Sequence, residues 1–214
     1  MRKAPLPAEA KVLVLDIDEY HPEANHLVGR VSVTDKGAST GCKWDKVIAI
    51  ASEQARSMGG NVVKIERHLS PGTHSSCDQI SARVYHYPEE ELESLKTRQN
   101  PLEDSTWTYA KIVYYRPGNE GFLVGYDLHV GQENIEKVRT GTRGQARISS
   151  KGLNTIWAET EKRIEVPVNL EYGRTYYVRC SMGPGIIIGR PVLERTDREL
   201  GAKDIESPER WRKF

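Results

Sequence analysis

The fold of this chain is most constrained by an amphipathic helix that ends at a pair of glycines. Apolar side chains recur at helical spacing and form one continuous stripe at Trp44, Val47, Ile48, Ala51, Ala55 and Met58. Gly59 and Gly60 predict the end of the helix, because glycine enters left-handed backbone at little cost. A helix of this kind must bury its stripe against a second layer of structure.

Strand patterns on both sides of the helix supply that layer. Residues 27–33 alternate in a way that is typical of a half-buried strand. The predicted strands of this part are Lys11–Ile17, Leu27–Val33, Val62–Arg67 and Cys77–Tyr87. The order β-β-α-β-β predicts a small domain over residues 1–87, with the helix packed on one face of a sheet.

The chain changes character after residue 87. Residues 88–106 are acidic and then rich in Lys, Arg and Gln, and we predict a linker here that carries a short exposed helix, Glu89–Lys96. Strand patterns at roughly 8–12-residue spacing follow. They are Thr108–Arg116, Gly121–Val130, Ala146–Ser149, Asn154–Glu159, Ile164–Leu170, Thr175–Cys180 and Ile186–Arg195. The predicted fold class is therefore α+β, a small ββαββ domain followed by an all-β sandwich domain over residues 107–214. In its C-terminal tail, Ser207-Pro208-Glu209 predicts the start of a helix.

Charge and hydropathy argue against two classes of function. The 214 residues carry a formal net charge of +1, with basic and acidic residues mixed along the chain. The sequence shows no basic stripe for nucleic acid and no polybasic membrane patch. Its longest apolar runs, Val12–Leu15 and Ile186–Ile188, are too short to span a bilayer. No apolar segment follows Met1-Arg2-Lys3, so we expect either a cytoplasmic protein or an exported one whose signal this chain lacks.

Three cysteines allow one disulfide and one free thiol. Cys42 and Cys77 could form a disulfide, remain free thiols or contribute to a metal site. Zinc ligands of the right type are present at His68, His74 and Cys77, and Asp78 could add a fourth, but the spacing His-x5-His-x2-Cys matches no established site. We favour a polar loop that happens to hold histidines, and we predict no metal ligands and no cofactor. Cys180 lies in an apolar strand and is predicted to be a buried, inert core residue.

The triplet Asp16-Ile17-Asp18 suggests an enzyme. A strand that ends in Asp-x-Asp is how phosphotransferases of the haloacid dehalogenase type present a nucleophile and a general acid beside magnesium. Such enzymes need further strands, each followed by a helix, whereas a second strand follows here at once. A metal-dependent hydrolase that uses Asp16 and Asp18 is therefore only an alternative. We predict that Asp16, Asp18 and Glu19 are solvated residues at the end of a strand, and we predict no catalytic residues.

Aromatic residues of the second domain could form a platform for a glycan or another small ligand. The set comprises Tyr114, Tyr115, Tyr126, Trp157, Tyr176 and Tyr177. Adjacent tyrosines on a strand point to opposite faces, so we expect one of each pair in the core. Arg116, Arg179 and Arg190 could converge on an anion, although arginines near strand ends are ordinarily solvated or paired.

Two blocks of residues resemble bacterial families. The first block is Cys42-Lys43-Trp44-Asp45-Lys46-Val47-Ile48, Ala51, Ala55, Gly59-Gly60-Asn61 and Cys77. It resembles the envelope-lipoprotein domain of the Rcs stress-sensor type over residues 12–87, and this resemblance implies a disulfide between Cys42 and Cys77. The second block resembles an uncharacterised β-sandwich family of bacterial lipoproteins without known catalytic residues, through Ala110–Arg116, Gly152, Glu171–Arg179 and Gly189–Pro191.

These resemblances imply a location in the bacterial cell envelope, in the periplasm or at the outer membrane. A disulfide agrees with that location, because disulfides persist in oxidising compartments. Membrane attachment would require a lipid anchor that this chain lacks. We expect a non-enzymatic protein that acts through contacts with another envelope protein, as a sensor, scaffold or assembly part, and no nucleic-acid partner. A module that binds a glycan or another small ligand is the second hypothesis.

Overall fold

The computed structural model describes residues 3–34, 44–69, 77–118 and 123–207. Within these ranges the chain forms two compact units, one up to Pro101 and the other from Leu102. Helices and strands are mixed in the first unit and strands dominate the second, so the predicted α+β fold class is confirmed. No helix in the described ranges is long and apolar enough to cross a membrane.

The first unit is a small sheet with a helix packed against it. Its elements are β1 (Leu13–Leu15), a 3-10 turn (Ala24–His26), β2 (Leu27–Val33), α1 (Trp44–Ser57), β3 (Val62–Leu69), β4 (Gln79–Tyr85), a second 3-10 turn (Glu89–Glu91) and α2 (Leu92–Thr97). Strand β4 pairs antiparallel with β2 and β3, and β1 pairs parallel with β3. The apolar stripe of α1 packs on the sheet in one cluster, which includes Val47, Ala51, Ala55, Val63, Ile65 and Val84.

A Gly-Gly-Asn turn connects α1 to β3 and fixes how they meet. Gly59 has a φ of +77°, the left-handed backbone that the sequence predicts at the end of the helix. Gly60 lies so close to β4 that a Cβ atom would sit 2.2 Å from Val84 Cγ1. The Asn61 side chain pairs with the backbone of Tyr87, donating to its carbonyl at 2.8 Å and accepting from its N–H at 2.9 Å. All three residues of the turn therefore have a structural role.

Helix α2 lies where the sequence predicts a short helix, but the predicted exposure is wrong. Leu92 and Leu95 are buried in a second cluster of the first unit, with Leu13, Leu15, Val62, Tyr85 and Tyr87. The two leucines are three residues apart and share one face of the helix. The first part of the predicted linker therefore packs within the first unit. The many charged residues of this segment flank a short apolar face formed by Leu92 and Leu95.

The second unit buries its core between two sheets. Its elements are β5 (Ala110–Tyr115), β6 (Tyr126–Val130), β7 (Glu133–Val138), β8 (Arg143–Ile148), β9 (Gly152–Glu159), β10 (Arg163–Leu170), β11 (Thr175–Gly183), β12 (Arg190–Thr196) and α3 (Arg198–Glu206). Strands β12, β11, β5 and β8 lie side by side in that order, and β10, β9, β6 and β7 form the other sheet. Strand β11 pairs parallel with β5, and its pairing with β12 is antiparallel. The alternation that predicts these strands is clearest in β10, where every second residue is buried.

Three parts of the second unit differ from the predicted strands. The sequence does not predict β7, because residues 133–138 are mostly polar and exposed. It also does not predict α3, whose first turn is capped by Asp197 through a hydrogen bond from the Leu200 N–H at 2.8 Å. The predicted tail helix falls on residues from 208 onwards, outside the described ranges. The strand predicted at Ile186–Arg195 begins only at residue 190, so three isoleucines lie outside the sheet.

Candidate functional site

Cys77 and Cys180 are in different chemical states. Cys77 is buried and disulfide-bonded. Its predicted partner, Cys42, lies outside the described ranges, so the pairing stays a prediction. Cys180 is free and fully buried, and burial raises the pKa of its thiol to about 12. The thiol is therefore protonated at neutral pH, and the expected inert core residue is confirmed.

Two described residues of the segment considered as a metal site, His68 and Asp78, form a hydrogen-bonded pair. His68 Nε2 lies 2.8 Å from Asp78 Oδ1, which joins β3 to the residue that precedes β4. His74 lies outside the described ranges, and the disulfide-bonded sulfur of Cys77 is no longer a thiolate ligand. Across the described part of the chain, no three His, Cys, Asp or Glu side chains come together in a way that could hold a metal ion.

A buried lysine organises the turn that carries Asp16 and Asp18. Lys64 Nζ donates to the backbone carbonyl of Asp16, and to those of Ile17 and Glu19 at 2.8 Å each. The Asp16 carboxylate accepts from the N–H of Ile17 at 2.7 Å. A buried ammonium needs several acceptors to offset the loss of water, and three carbonyls supply them. The positive charge at this turn is therefore the ammonium group of Lys64, which contacts backbone carbonyl oxygens.

The tyrosine pairs behave as the strand pattern predicts. Tyr114 and Tyr176 belong to the core between the sheets. Their neighbours point to the opposite face, where α3 covers them. Tyr115 Oη donates to Asp204 at 3.2 Å, and a Cβ atom on Gly201 would lie 2.5 Å from the ring of Tyr177. These tyrosines therefore serve packing and do not form a free platform.

Trp157 points outward from the other sheet, and both faces of its ring are covered. The ring of His129 is stacked on it with centroids 3.8 Å apart and an interplanar angle of 5°. The guanidinium carbon of Arg163 lies 3.8 Å from the Trp157 centroid. Two groups at these distances cannot share one face, so they occupy opposite faces. Arg163 is also paired with Glu165 at 2.6 Å. A sugar ring would have to displace one of these partners to stack on Trp157.

The three arginines near strand ends have separate partners. Arg116 is buried and donates to a backbone carbonyl at 2.7 Å. Arg179 donates to Glu194 at 3.3 Å. Arg190 Nε lies 3.8 Å from a carboxylate oxygen of Glu161. Arg116 and Arg179 thus donate to different acceptors within the protein, and Arg190 is ion-paired with Glu161, so the three guanidinium groups do not converge on one position.

The loop between β11 and β12 exposes three isoleucines in succession. We call residues 184–189 the isoleucine loop. Ile186 and Ile187 are each 86% exposed, and Ile188 is 49% exposed. A single exposed aliphatic residue is ordinary, but three in succession at the tip of one loop form an apolar protrusion.

Glu161 holds the backbone of the isoleucine loop. It lies in the turn between β9 and β10, and one carboxylate oxygen accepts from the N–H of Ile186 at 2.7 Å. The other oxygen accepts from the N–H groups of Ile187 at 2.5 Å and Ile188 at 2.6 Å. These hydrogen bonds lower the pKa of Glu161 to about 2, so it is ionised at physiological pH. Three successive N–H groups that converge on one anion form a rigid turn.

Glycines and a threonine complete the attachment of the loop. A Cβ atom on Gly185 would lie 2.5 Å from Glu161 Oε2, so a side chain there would displace the carboxylate. Gly189 has a φ of +90°, which returns the chain to β12. Thr160, next to Glu161, donates from its hydroxyl to the Gly189 carbonyl at 2.7 Å. The turn between β9 and β10 therefore contacts the isoleucine loop through Glu161 and also its last residue, Gly189, through Thr160.

An exposed leucine, Leu123, lies at the same end of the second unit as the isoleucine loop. Tyr126 Oη donates to the carbonyl of Ser181 at 3.0 Å, which places the start of β6 beside the end of β11. Leu123, three residues before β6, is 84% exposed. The isoleucine loop is therefore not the sole exposed apolar element at this end of the described unit.

The sequence contains a signal for this loop, which the strand interpretation missed. Gly185 and Gly189 flank the three isoleucines, and such flanking glycines indicate a turn rather than a strand. The partner of the loop is not visible in a local pattern, because Glu161 lies 25 residues before Ile186.

Comparisons with known proteins give little further information. No family model matches the chain, and no curated protein matches it. Among solved structures, the chain is similar to the N-terminal domain of AlgF from P. aeruginosa, with 20% sequence identity and a TM-score of 0.29. That match covers 44% of this chain and 99% of the AlgF domain. A TM-score this low supports no argument about function.

Proposed function

We propose that this protein is a non-enzymatic component of the bacterial cell envelope that acts by binding another protein through the isoleucine loop. The observation that carries the proposal is the combination of three exposed isoleucines with a carboxylate that fixes their backbone. An apolar segment that is exposed and also held in one conformation is suited to binding, since little conformational entropy remains to be lost.

Glu161 also removes a cost that would otherwise oppose docking. Burying an N–H group without a partner costs about 1–3 kcal/mol, whereas covering an isoleucine side chain contributes about 1.5–3 kcal/mol. The N–H groups of Ile186, Ile187 and Ile188 are already bonded within the protein. The loop can therefore enter a dry pocket while keeping these hydrogen bonds.

A protein pocket suits the loop better than a lipid bilayer. The ionised carboxylate of Glu161 lies directly behind the isoleucine backbone, and an ionised group is costly in hydrocarbon. Next to Glu161 along the chain, the exposed Lys162 is offset by the exposed Glu159, and Arg163 is paired with Glu165 at 2.6 Å. A groove lined by apolar side chains on a partner protein matches three aliphatic residues in a row.

Two features support the envelope as the location. Cys77 is disulfide-bonded, and disulfides are rare in the cytosol. Residues 12–87 resemble an envelope-lipoprotein domain of the Rcs stress-sensor type, with the Gly-Gly-Asn turn as the shared feature. If fractionation of the native organism recovers the full-length protein in the cytosol with Cys77 reduced, this part of the proposal is wrong.

Site-specific photocrosslinking in living cells tests the docking role. A photoreactive amino acid at position 187 should form one discrete adduct with a second protein, and Ile186→Ser in the same chain should abolish that adduct. Leu153 is the matched control, because it is an aliphatic residue 82% exposed at the other end of the same unit. The photoreactive amino acid at position 153 should give no such band.

Two outcomes would contradict the docking role. One is the same pattern of adducts from positions 187 and 153, which would indicate nonspecific capture. The other is binding of the purified protein to liposomes that Ile187→Ser abolishes, because it would assign the loop to a lipid surface.

A further inference from the structure

A cluster of aromatic and basic side chains lies at the opposite end of the second unit from the isoleucine loop. Strands β5 and β11 run parallel, so the start of β5 and the end of β11 are at opposite ends of their sheet. Tyr109 and Lys111 lie on the outer face, since Ala110 and Ile112 belong to the core. We define the basic aromatic cluster as Trp107, Tyr109, Lys111, Arg147, Lys151 and Tyr172.

Each aromatic ring of the cluster has a cation close to it. Trp107 and Tyr109 are stacked with centroids 5.0 Å apart and an interplanar angle of 12°. Lys111 Nζ lies 4.3 Å from the Trp107 centroid, and Arg147 Cζ lies 4.8 Å from that of Tyr109. The third cation is Lys151, whose Nζ lies 5.9 Å from the centroid of the Tyr172 ring. Cation–π attraction positions these side chains but leaves their positive charge in place.

Hydrogen bonds connect the turn that carries Tyr172 to Tyr109 and to the strand end near Arg147. The N–H of Gly173 donates to the carbonyl of Tyr109 at 3.1 Å. The hydroxyl of Tyr172 donates to the carbonyl of Ser149 at 2.5 Å, and this serine directly follows β8, the strand that carries Arg147. The turn at residues 171–173 therefore lies against the start of β5 and the end of β8.

Positive charge in and around the cluster exceeds the negative charge, because the three cluster cations, Arg174 and Arg198 outnumber Glu103, Asp104 and Glu171. Asp104 is hydrogen-bonded to Thr106 and Trp107, and Glu171 is paired with Arg174 at 2.5 Å. Lys111 and Arg147 are paired residues on neighbouring strands, and like charges in directly opposite positions repel each other. Glu103 lies 3.8 Å from Lys111, but it is also 3.5 Å from Arg198. Within the described ranges Arg147 is exposed and has no carboxylate partner. An anion that bridges Lys111 and Arg147 would relieve the repulsion between them.

We infer that the basic aromatic cluster binds an acidic glycan, a chain of sugars that carry carboxylates. The guanidinium of Arg147 can donate two parallel hydrogen bonds to one carboxylate, and Lys111 adds a second cation beside it. The rings of Trp107 and Tyr109 are half-buried, so some of their carbon atoms remain accessible, and a sugar can contact these carbons by dispersion without stacking on a ring face. The same combination of charge and apolar surface recurs at Tyr172.

A glycan fits this surface better than a nucleic acid does. Binding of single-stranded nucleic acid relies on open aromatic faces on which bases stack. Here Trp107 and Tyr109 stack on each other, and Lys111 and Arg147 lie over them. Three cations also form a short patch, whereas nucleic-acid sites need an extended basic surface. A carboxylate-bearing sugar needs only a local group of cations.

Titration of the full chain with polygalacturonate, a polymer of carboxylate-bearing sugars, tests the inference. The wild-type protein should bind it, and Arg147→Gln should raise the Kd about tenfold, the expected effect of losing one charge-assisted hydrogen-bonded pair. Lys137→Gln is the matched control, because it removes the same charge from an exposed position on the other sheet. Its Kd should change by less than about twofold. Thermal melting of each variant confirms that it remains folded.

Four results would overturn the inference. The first is an absence of binding between the wild-type protein and polygalacturonate. The second is an equal loss of affinity in Arg147→Gln and Lys137→Gln, since binding would then depend on net charge alone. The third is tighter binding of single-stranded RNA than of polygalacturonate, which would assign the cluster to nucleic acid. Binding of uncharged dextran as tightly as the acidic polymer would likewise contradict a role for the cations.

Discussion

The Gly59-Gly60-Asn61 turn and the isoleucine loop fix their backbones with the same device but use it differently. In both, glycines permit a backbone that side chains would block, and one polar side chain satisfies backbone groups. In the first turn the neighbouring apolar residues face the core, whereas in the loop they face solvent. A fixed backbone thus buries apolar side chains in the first unit and leaves them exposed in the second.

The choice of polar side chain follows from what each turn must satisfy. Asn61 is buried and meets one N–H and one carbonyl of Tyr87, so it needs a neutral group with both a donor and an acceptor. Glu161 meets three N–H groups near the surface, so it needs acceptors only, and it keeps its charge. Burying an ionised carboxylate in place of Asn61 would be far more costly.

The variant Gly60→Ala breaks the packed turn and has the largest expected effect. The new Cβ would lie 2.2 Å from Val84 Cγ1 and 3.0 Å from the carbonyl oxygen of Tyr85. We expect the free energy of unfolding to fall by about 3 kcal/mol, at the upper end for an overpacked core, as measured by urea titration. Gly118→Ala is a control for backbone strain without a steric clash, because Gly118 has a φ of +83° but open space around its Cβ position, and it should cost about 1–2 kcal/mol. A loss no larger than that of the control would contradict the packing explanation.

The variant Asn61→Ala removes the side chain that ties the first turn to the backbone of Tyr87. It would leave the N–H and the carbonyl of Tyr87 without these partners in a buried position. We expect a loss of about 2 kcal/mol in the free energy of unfolding. Asn61→Asp retains an acceptor but loses the donor and adds a buried charge, so it should be at least as unstable. Wild-type stability of Asn61→Asp would show that the pairing with Tyr87 contributes little.

The two turns also differ in how far the sequence predicts them. The end of α1 is predicted correctly because its signals, an apolar stripe followed by Gly59 and Gly60, are local. The isoleucine loop is predicted as a strand, because Ile186–Ile188 has high strand propensity and its carboxylate partner is distant in sequence. The basic aromatic cluster lies between these cases. Trp107, Tyr109 and Lys111 alternate visibly, but the opposing Arg147 depends on strand register, which the sequence does not specify.

Acid titration separates the neutral turn from the charged loop. The folded-state pKa of Glu161 is about 2, below its ordinary value of 4.5, so its stabilisation of the loop is fully present above about pH 4.5. That stabilisation decreases as the pH falls and is lost near pH 2. The amides of Ile186, Ile187 and Ile188 should therefore shift together in NMR spectra over this range. In Glu161→Gln the transition should be absent.

The amide of Gly60 is an internal reference for this titration. Its N–H donates to the Ala55 carbonyl at 2.9 Å, and neither of these groups titrates. A transition of the Gly60 amide over the same pH range would indicate general acid unfolding, and the assignment to Glu161 would then fail.

The smallest stability effect is expected for Ile187→Ser, although this variant removes the residue that the proposed function needs most. Ile187 is 86% exposed, so its side chain contributes almost no burial to the folded state, and surface changes of this kind shift the free energy of unfolding by less than about 0.5 kcal/mol. The N–H at position 187 is retained, so its hydrogen bond to Glu161 should persist. Val84→Ala is the contrasting change, because Val84 is fully buried and its truncation should cost about 2 kcal/mol or more. Urea titration of both variants measures the difference. A large loss in Ile187→Ser would mean that the isoleucine is part of the packed structure, and it would contradict a surface kept for binding.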